Sequence, residues 1–100
     1  MTVFWTDRAF EHLAGVGAYV SRTSEAYAER VVDRLVGRSE QLAAHPYSGR
    51  IVPEYERAEV REVIERPYRV LYRVREDVGR VEVLAVLHGR RELPAEAEGL

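Results

Sequence analysis

The hydrophobic period of this chain changes once, and the change falls at Pro46. Before it, apolar residues return every three or four positions, the spacing of one helix face. After it they alternate, the spacing of a half-buried strand. Phe10, Leu13, Gly17 and Val20, flanked by Ala9, Val16 and Tyr19, mark a first helix over residues 7–21. Thr6 can cap it, and Asp7 suits its positive first turn. Gly15 and Gly17 each cost about 1 kcal/mol of helix propensity, and their presence implies close packing against another element. Tyr27, Val31, Leu35, Ser39 and Leu42 mark a second helix over residues 24–44, with Thr23 and Ser24 as candidate caps. It stops at His45-Pro46, because the residue before a proline avoids helical backbone angles. Two helices joined this closely pack as an antiparallel hairpin.

Beyond the change, Pro46-Tyr-Ser-Gly49-Arg50 forms a turn, with Pro53 soon after and Gly49 expected at positive φ. Val60–Glu65 is a weak strand signal ended by Pro67. In Tyr68–Arg75, Tyr68, Val70, Tyr72 and Val74 face one way, and Arg69, Leu71, Arg73 and Arg75 the other. That parity assigns Tyr68 and Tyr72 to core packing in preference to base stacking. Glu76-Asp-Val-Gly79 supplies a hairpin turn, and Val81–His88 is apolar on both faces in its second half, as a covered central strand would be. Thr2–Trp5 is a short β-prone run suited to a sheet edge, and the acidic tail 92–100 is expected to fray. The order is β-α-α-β-β-β. It predicts an α+β fold with a helical hairpin packed on one face of a small antiparallel sheet, as a single domain over residues 1–91.

Composition closes several function classes. No Cys is present, which removes disulfides, thiolate metal sites and thiol nucleophiles. No apolar run approaches the roughly 18 residues of a membrane span, and the N-terminus lacks the pattern of a signal peptide, so a cytoplasmic protein is expected. His12, His45 and His88 are too scattered to suggest a metal site, and no cofactor motif is present. All 15 basic residues are Arg, and the formal net charge is −2. That average conceals a segregation. Residues 51–65 carry two Arg and five acids, whereas residues 66–91 carry seven Arg and three acids. Arg69, Arg73 and Arg75 lie opposite the Tyr/Val face and form a candidate surface for phosphate or carboxylate. The alternative is a solvated face balanced by Glu62, Glu65 and Glu82 on neighbouring strands.

Four strings, in this order, resemble the RelE/ParE superfamily of toxins from bacterial toxin–antitoxin pairs. They are Trp5-Thr-Asp-Arg-Ala9; Pro46-Tyr-Ser-Gly-Arg50 with Glu54; Arg61-Glu62 followed by Pro67-Tyr-Arg-Val-Leu-Tyr72; and Val86-Leu-His-Gly-Arg-Arg91. Together they cover about residues 3–91. The resemblance implies one of two activities on a shared fold. RelE-like members cut mRNA in the ribosomal A site; ParE-like members inhibit DNA gyrase. Both are neutralised by the C-terminal segment of a cognate antitoxin. On the RelE-like pattern the catalytic candidates are Arg69, at a phosphate-binding position, Arg91 (or Arg90) on the last strand, His88 and Arg61. The sequence departs from that pattern. The expected Lys residues are absent, Arg61 and Glu62 standing there instead, and no Tyr follows Tyr72. The Val-Leu-His-Gly form of the last strand looks like the ParE branch, where His88 serves the strand end. The resemblance therefore points to a ParE-like gyrase inhibitor that holds its target without catalysis. The alternatives are a RelE-like ribosome-dependent mRNA endonuclease and a non-toxic remnant that binds only an antitoxin. In each case Arg61, Arg69, Arg73, Arg75, Arg90 and Arg91 are the candidates for pairing antitoxin carboxylates.

Overall fold

The computed structural model describes all residues from Met1 to Leu100 and resolves the period change into two layers. Strand β1 (Thr2–Trp5) leads into α1 (Asp7–Ser21) and α2 (Glu25–Glu40), which ends in a 3₁₀ turn at Gln41–Ala43. The chain then returns through β2 (Arg50–Ile51), β3 (Val60–Glu65), β4 (Tyr68–Arg75) and β5 (Arg80–His88). Thr6 and, of the two candidates at the second helix, Ser24 and not Thr23 form the caps: the Thr6 side chain accepts from the Ala9 N–H, and that of Ser24 from the Tyr27 N–H. Each satisfies a backbone donor that a helix start leaves without an intrahelical partner, a contribution of about 1 kcal/mol. No helix is long and apolar enough to cross a membrane.

The sheet has the order β1-β5-β4-β3-β2. It is mixed, not wholly antiparallel, because β1 pairs parallel to β5, Thr2 opposite Arg80 and Trp5 opposite Val83. The chain then follows the same edge of β5 upward as helix. The Thr6 N–H donates to Val83 O, and further along the Val86 N–H donates to His12 Nδ1. Strand β2, inside a segment read as turn, pairs Arg50 with Glu62 and Ile51 with Arg61.

The inner face of the sheet buries Val63, Val70, Tyr72, Val74, Val81, Val83 and Val86 against Ala9, Leu13, Val31, Leu35 and Leu42 of the helical layer. The alternation expected for β4 is therefore realised. In β5 it slips by one residue, because the pairing shifts from Leu71↔Ala85 to Tyr72↔Val83 and leaves Leu84 unopposed. This bulge lets Val81 and Val83 face the helices on one side of it and Val86 on the other, with Glu82, Ala85 and Leu87 facing out.

The outer face also has a core. Val52, Val60, Leu71, Ala85 and Leu87 pack with Ala97, and Tyr55, Leu93 and Leu100 border them. The tail is thus docked, not frayed. Tyr55 Oη donates to Pro94 O at 2.9 Å, Arg8 Nη1 to Gly99 O at 2.7 Å, and Arg57 pairs with Glu98 at 2.7 Å. Tail anchoring follows from the apolar outer face, which a solvent-facing sheet would leave exposed.

Two glycine expectations need correction. Gly79 is the glycine at positive φ; Gly49 is not. Gly49 is required by proximity: a Cβ there would stand 2.5 Å from Glu62 O and 2.6 Å from Tyr72 Oη. In the first helix, Gly17 does approach α2, its Cβ position lying 3.3 Å from Val32, whereas Gly15 faces open space.

Candidate functional site

The arginines of the sheet face are internally neutralised. Arg69 projects from β4 onto the outer face beside Glu62 of β3, and both are almost fully buried. Arg69 Nε donates to Glu62 Oε1, while Nη1 and Nη2 donate to the two oxygens of Glu54 at 2.9 and 3.0 Å. Arg50 Nε donates to the other Glu62 oxygen at 2.7 Å. Every nitrogen of the Arg69 fork is therefore engaged, two of them in the bidentate geometry that guanidinium and carboxylate favour. Glu54 raises the Arg69 guanidinium further above its usual range, and the Arg69 hydrogen bonds hold the Glu54 carboxyl below the usual carboxylate range. The network ties the loop carrying Glu54 to the middle of the sheet. Further down β4, Arg73 pairs with Glu82 at 3.2 Å and Arg75 with Asp77 at 2.8 Å. Arg80 joins the same Glu82 at 2.9 Å. Glu62 and Glu82 act as the alternative reading supposed; Glu65 instead pairs with Arg38 at 3.5 Å.

The end of the molecule at which β5 finishes is different. Here meet the α1–α2 connection, the Arg66–Pro67 turn between β3 and β4, and the exit of β5 at His88–Arg91. Arg66, Arg90 and Arg91 are exposed and carry no ion pair. A groove of about 290 Å³ runs between Arg50, Arg66, Tyr68, Arg69, His88 and Arg90. His88 Nδ1 accepts from the Arg90 N–H at 3.1 Å, which closes the strand end and leaves Nε2 outward. Its ring meets Tyr68 edge-on, with centroids 6.2 Å apart. Tyr68 is the first residue of β4, so it is only half covered, whereas Tyr72 is fully buried and receives the Gly49 N–H at 3.0 Å.

The structure therefore brings Arg69, His88 and Arg90 to one groove but separates the other candidates. Arg61 leaves the sheet in the opposite direction. Its guanidinium donates to the carbonyls of Ala58, Tyr47 and Gly49 and lies 4.9 Å from the centre of the Tyr47 ring. Arg91 lines a second groove, between α1 and the upper part of β5, with His12, Val16, Tyr19 and Tyr68. Arg73 and Arg75 sit at the far end of β4. No three His, Asp or Glu side chains converge as a metal site. Two pairings escaped the sequence. Glu54 is fifteen positions from its partner Arg69 and sits in a loop with no period. His12 shares the inward helix face of Ala9 and Val16, and that placement was its only sequence signal.

Comparisons with known proteins bear on the fold and the family. The family model described as the ParE toxin of the type II toxin–antitoxin system parDE matches residues 3–93. The chain is 36% identical over 92 residues to Y4kP of Sinorhizobium fredii, covering 90% of each chain. It is 32% identical over 90 residues to the toxin RelE2 of Caulobacter vibrioides, covering 89% of this chain and 96% of that one. Among solved structures, a chain of the chromosomal ParDE system of P. aeruginosa superposes with a TM-score of 0.71 at 24% identity, covering 88% of this chain and 95% of that chain. A chain of the Mycobacterium tuberculosis RelBE2 toxin–antitoxin complex gives 0.66, also at 24% identity, covering 87% and 88%. These structural matches share the α+β fold of two helices on a mixed sheet, and with the family model and the two relatives they place this chain in the ParE toxin family of type II toxin–antitoxin systems.

Proposed function

We propose that this toxin is ParE-like in mechanism: it holds DNA gyrase without catalysing a reaction, and a cognate antitoxin neutralises it. The observation that carries this reading is the state of Arg69, whose three nitrogens are consumed by Glu54 and Glu62. Cleavage of RNA by its own 2′-OH requires a base, an acid and cations aimed at the developing charge. A phosphate reaching Arg69 has to displace a bidentate carboxylate first. Around the groove His88 is the one imidazole, and its Nδ1 already accepts from the backbone. The set supports binding better than cleavage.

Antitoxin carboxylates are best served by Arg90 and Arg91, which have no internal partner, while Arg61, Arg69, Arg73 and Arg75 are engaged within the fold. The RelE-like reading retains one supporting observation, the convergence of Arg69, His88 and Arg90 on a single groove. Two assays run side by side separate the mechanisms. Purified toxin is expected to inhibit supercoiling of relaxed plasmid by gyrase and to leave a defined mRNA intact in a reconstituted translation system. A-site cleavage products that vanish with Arg69→Ala, together with unaffected gyrase, would reverse the assignment. Unimpaired growth on induction without antitoxin would leave only the non-toxic remnant.

A further inference from the structure

A cleft of about 480 Å³ lies between the first turns of α1, the exit of β5 and the docked tail, and the proposed activity makes no use of it. Its rim carries two cations, Arg8 and Arg91, and two carboxylates, Glu11 and Glu92. All four side chains are exposed, and none takes part in an ion pair within the fold. Both cations are nevertheless anchored. Arg8 Nη1 donates to Gly99 O at 2.7 Å, and the Arg91 N–H donates to His88 O at 2.9 Å, which fixes the turn from which Arg91 projects. Leu87, Leu93 and Pro94 give the cleft an apolar wall.

His12 adds a neutral donor beside the cations. Its Nδ1 accepts the Val86 N–H at 3.2 Å, so the proton of the neutral ring sits on Nε2, which has no partner within the fold. Arg91 and Arg8 stand near enough to lower the His12 pKa, after the larger effect of burial, and Glu11 near enough to oppose them. Both signs of charge are therefore gathered around one imidazole.

The chemistry of the occupant follows from that mixture. A simple anion would satisfy Arg8 and Arg91 but bring its charge against Glu11 and Glu92, and a simple cation would do the reverse. A zwitterion meets both pairs. Guanidiniums and an imidazole N–H hold a carboxylate by charge-assisted hydrogen bonds, and carboxylates hold an ammonium in the same way. The apolar wall favours a hydrocarbon side chain. The volume falls within the roughly 300–1,000 Å³ of small-molecule sites, and the cleft is closed on three sides by helix, strand end and tail.

We propose that this cleft binds a free α-amino acid with an aliphatic side chain. Arg8, Arg91 and His12 Nε2 hold its carboxylate, Glu11 and Glu92 its ammonium, and Leu87, Leu93 and Pro94 receive its side chain. The site shares no residue with the groove of Arg69, His88 and Arg90, and it does not depend on which target the toxin acts upon.

The test is a titration of the purified toxin with L-leucine, followed by calorimetry and by the NMR signals of the His12 ring. Leucine is expected to bind saturably with a Kd of about 1 mM or below. It is also expected to raise the His12 midpoint, because its carboxylate offsets the charges of Arg91 and Arg8. Isocaproate, which lacks the ammonium, and isoamylamine, which lacks the carboxylate, should each bind about tenfold more weakly or worse. Arg91→Ala and Glu92→Gln remove rim charges that have no ion-pair partner, so their thermal melts should match wild type while leucine affinity falls about tenfold. Absence of saturation at about ten times the expected Kd overturns the site. Isocaproate binding as tightly as leucine overturns the zwitterion in favour of a plain anion site. Saturable binding that both folded variants retain within about twofold places leucine elsewhere and overturns the cleft.

Discussion

Seven arginines fall between residues 66 and 91, and the fold sorts them into two groups of opposite state. Arg69, Arg73, Arg75 and Arg80 lie within strands and meet carboxylates supplied by the same or a neighbouring strand or loop. Arg66, Arg90 and Arg91 lie in the turns at the end of the sheet, where no carboxylate pairs with them. In a strand, side chains on one face are spaced so that opposite charges meet directly, and burial rewards the pairing. In a turn the same residue projects into solvent and remains available to a partner. Segment charge alone therefore overstates the binding surface. Position within the element decides which cations are free.

The largest test of this division compares Glu62→Ala with Arg66→Ala. Glu62 has no exposed side-chain surface, and it pairs with both Arg69 and Arg50. Removing it leaves the buried Arg69 Nε without its acceptor, while Glu54 keeps Nη1 and Nη2, and is expected to cost about 3 kcal/mol in urea unfolding. Arg66→Ala is expected to stay within about 0.5 kcal/mol of wild type, because nothing inside the fold depends on that charge. Equal effects in the two variants would collapse the distinction between the groups.

A second variant tests how rigidly the paired group is framed. Gly49→Ala sets a methyl 2.5 Å from Glu62 O and 2.6 Å from Tyr72 Oη. It is expected to lower stability by about 1–3 kcal/mol, the cost of overpacking a site walled by backbone. Gly15→Ala meets nothing within 4 Å and sits inside a helix, so it is expected to stabilise by about 0.5–1 kcal/mol. Thermal melts of the pair read both signs.

These contrasts also mark how far the sequence could be read. The helical hairpin, both caps and the two faces of β4 were legible because each depends on neighbours three or four positions away, or two. The direction of β1 was not, since its partner β5 lies nearly eighty residues downstream. The tail looked loose because three glutamates dominate its nine residues, yet Leu93, Ala97 and Leu100 meet an apolar outer face that only the assembled sheet creates. For the site, parity placed Arg69 on the correct face but said nothing of Glu54. Tyr68 and Tyr72 share the opposite parity, and only their distance from the strand end separates a half-exposed ring from a buried one.

A smaller effect follows from Glu54, the exposed end of the network. Its folded pKa lies below the ordinary value of 4.5, chiefly through the Arg69 hydrogen bonds. A depressed carboxylate contributes stability above its unfolded pKa and loses it as pH falls through the folded one. Wild-type stability is thus expected to decline below about pH 4.5 more steeply than that of Glu54→Gln. Because Glu54 is 42% exposed, the difference at neutral pH should be no more than about 1 kcal/mol. Parallel pH curves would show that Glu54 contributes nothing to the clamp.

The finest probe joins the two groups at His12. Burial lowers its pKa from 6.5, and the unpaired cations Arg91 and Arg8 lower it further, with Glu11 opposing. The neutral ring is what the fold needs, because Nδ1 accepts the Val86 N–H at 3.2 Å just beyond the point where β1 ends. A proton on Nδ1 abolishes that acceptor. The contribution is therefore complete above pH 6.5 and is lost as pH falls from there through the folded pKa. His12→Leu is expected to cost about 1 kcal/mol at pH 7.5, the value of one hydrogen bond whose donor is left unpaired, and less in acid. Arg91→Ala is expected to move the His12 midpoint back towards 6.5 in an NMR titration, whereas Arg75→Ala, in the paired group at the far end of β4, should leave it unmoved. If neither substitution shifts the midpoint, Arg91 is not a free charge. Its place in the unpaired group, and in the antitoxin-binding set drawn from that group, would then fall.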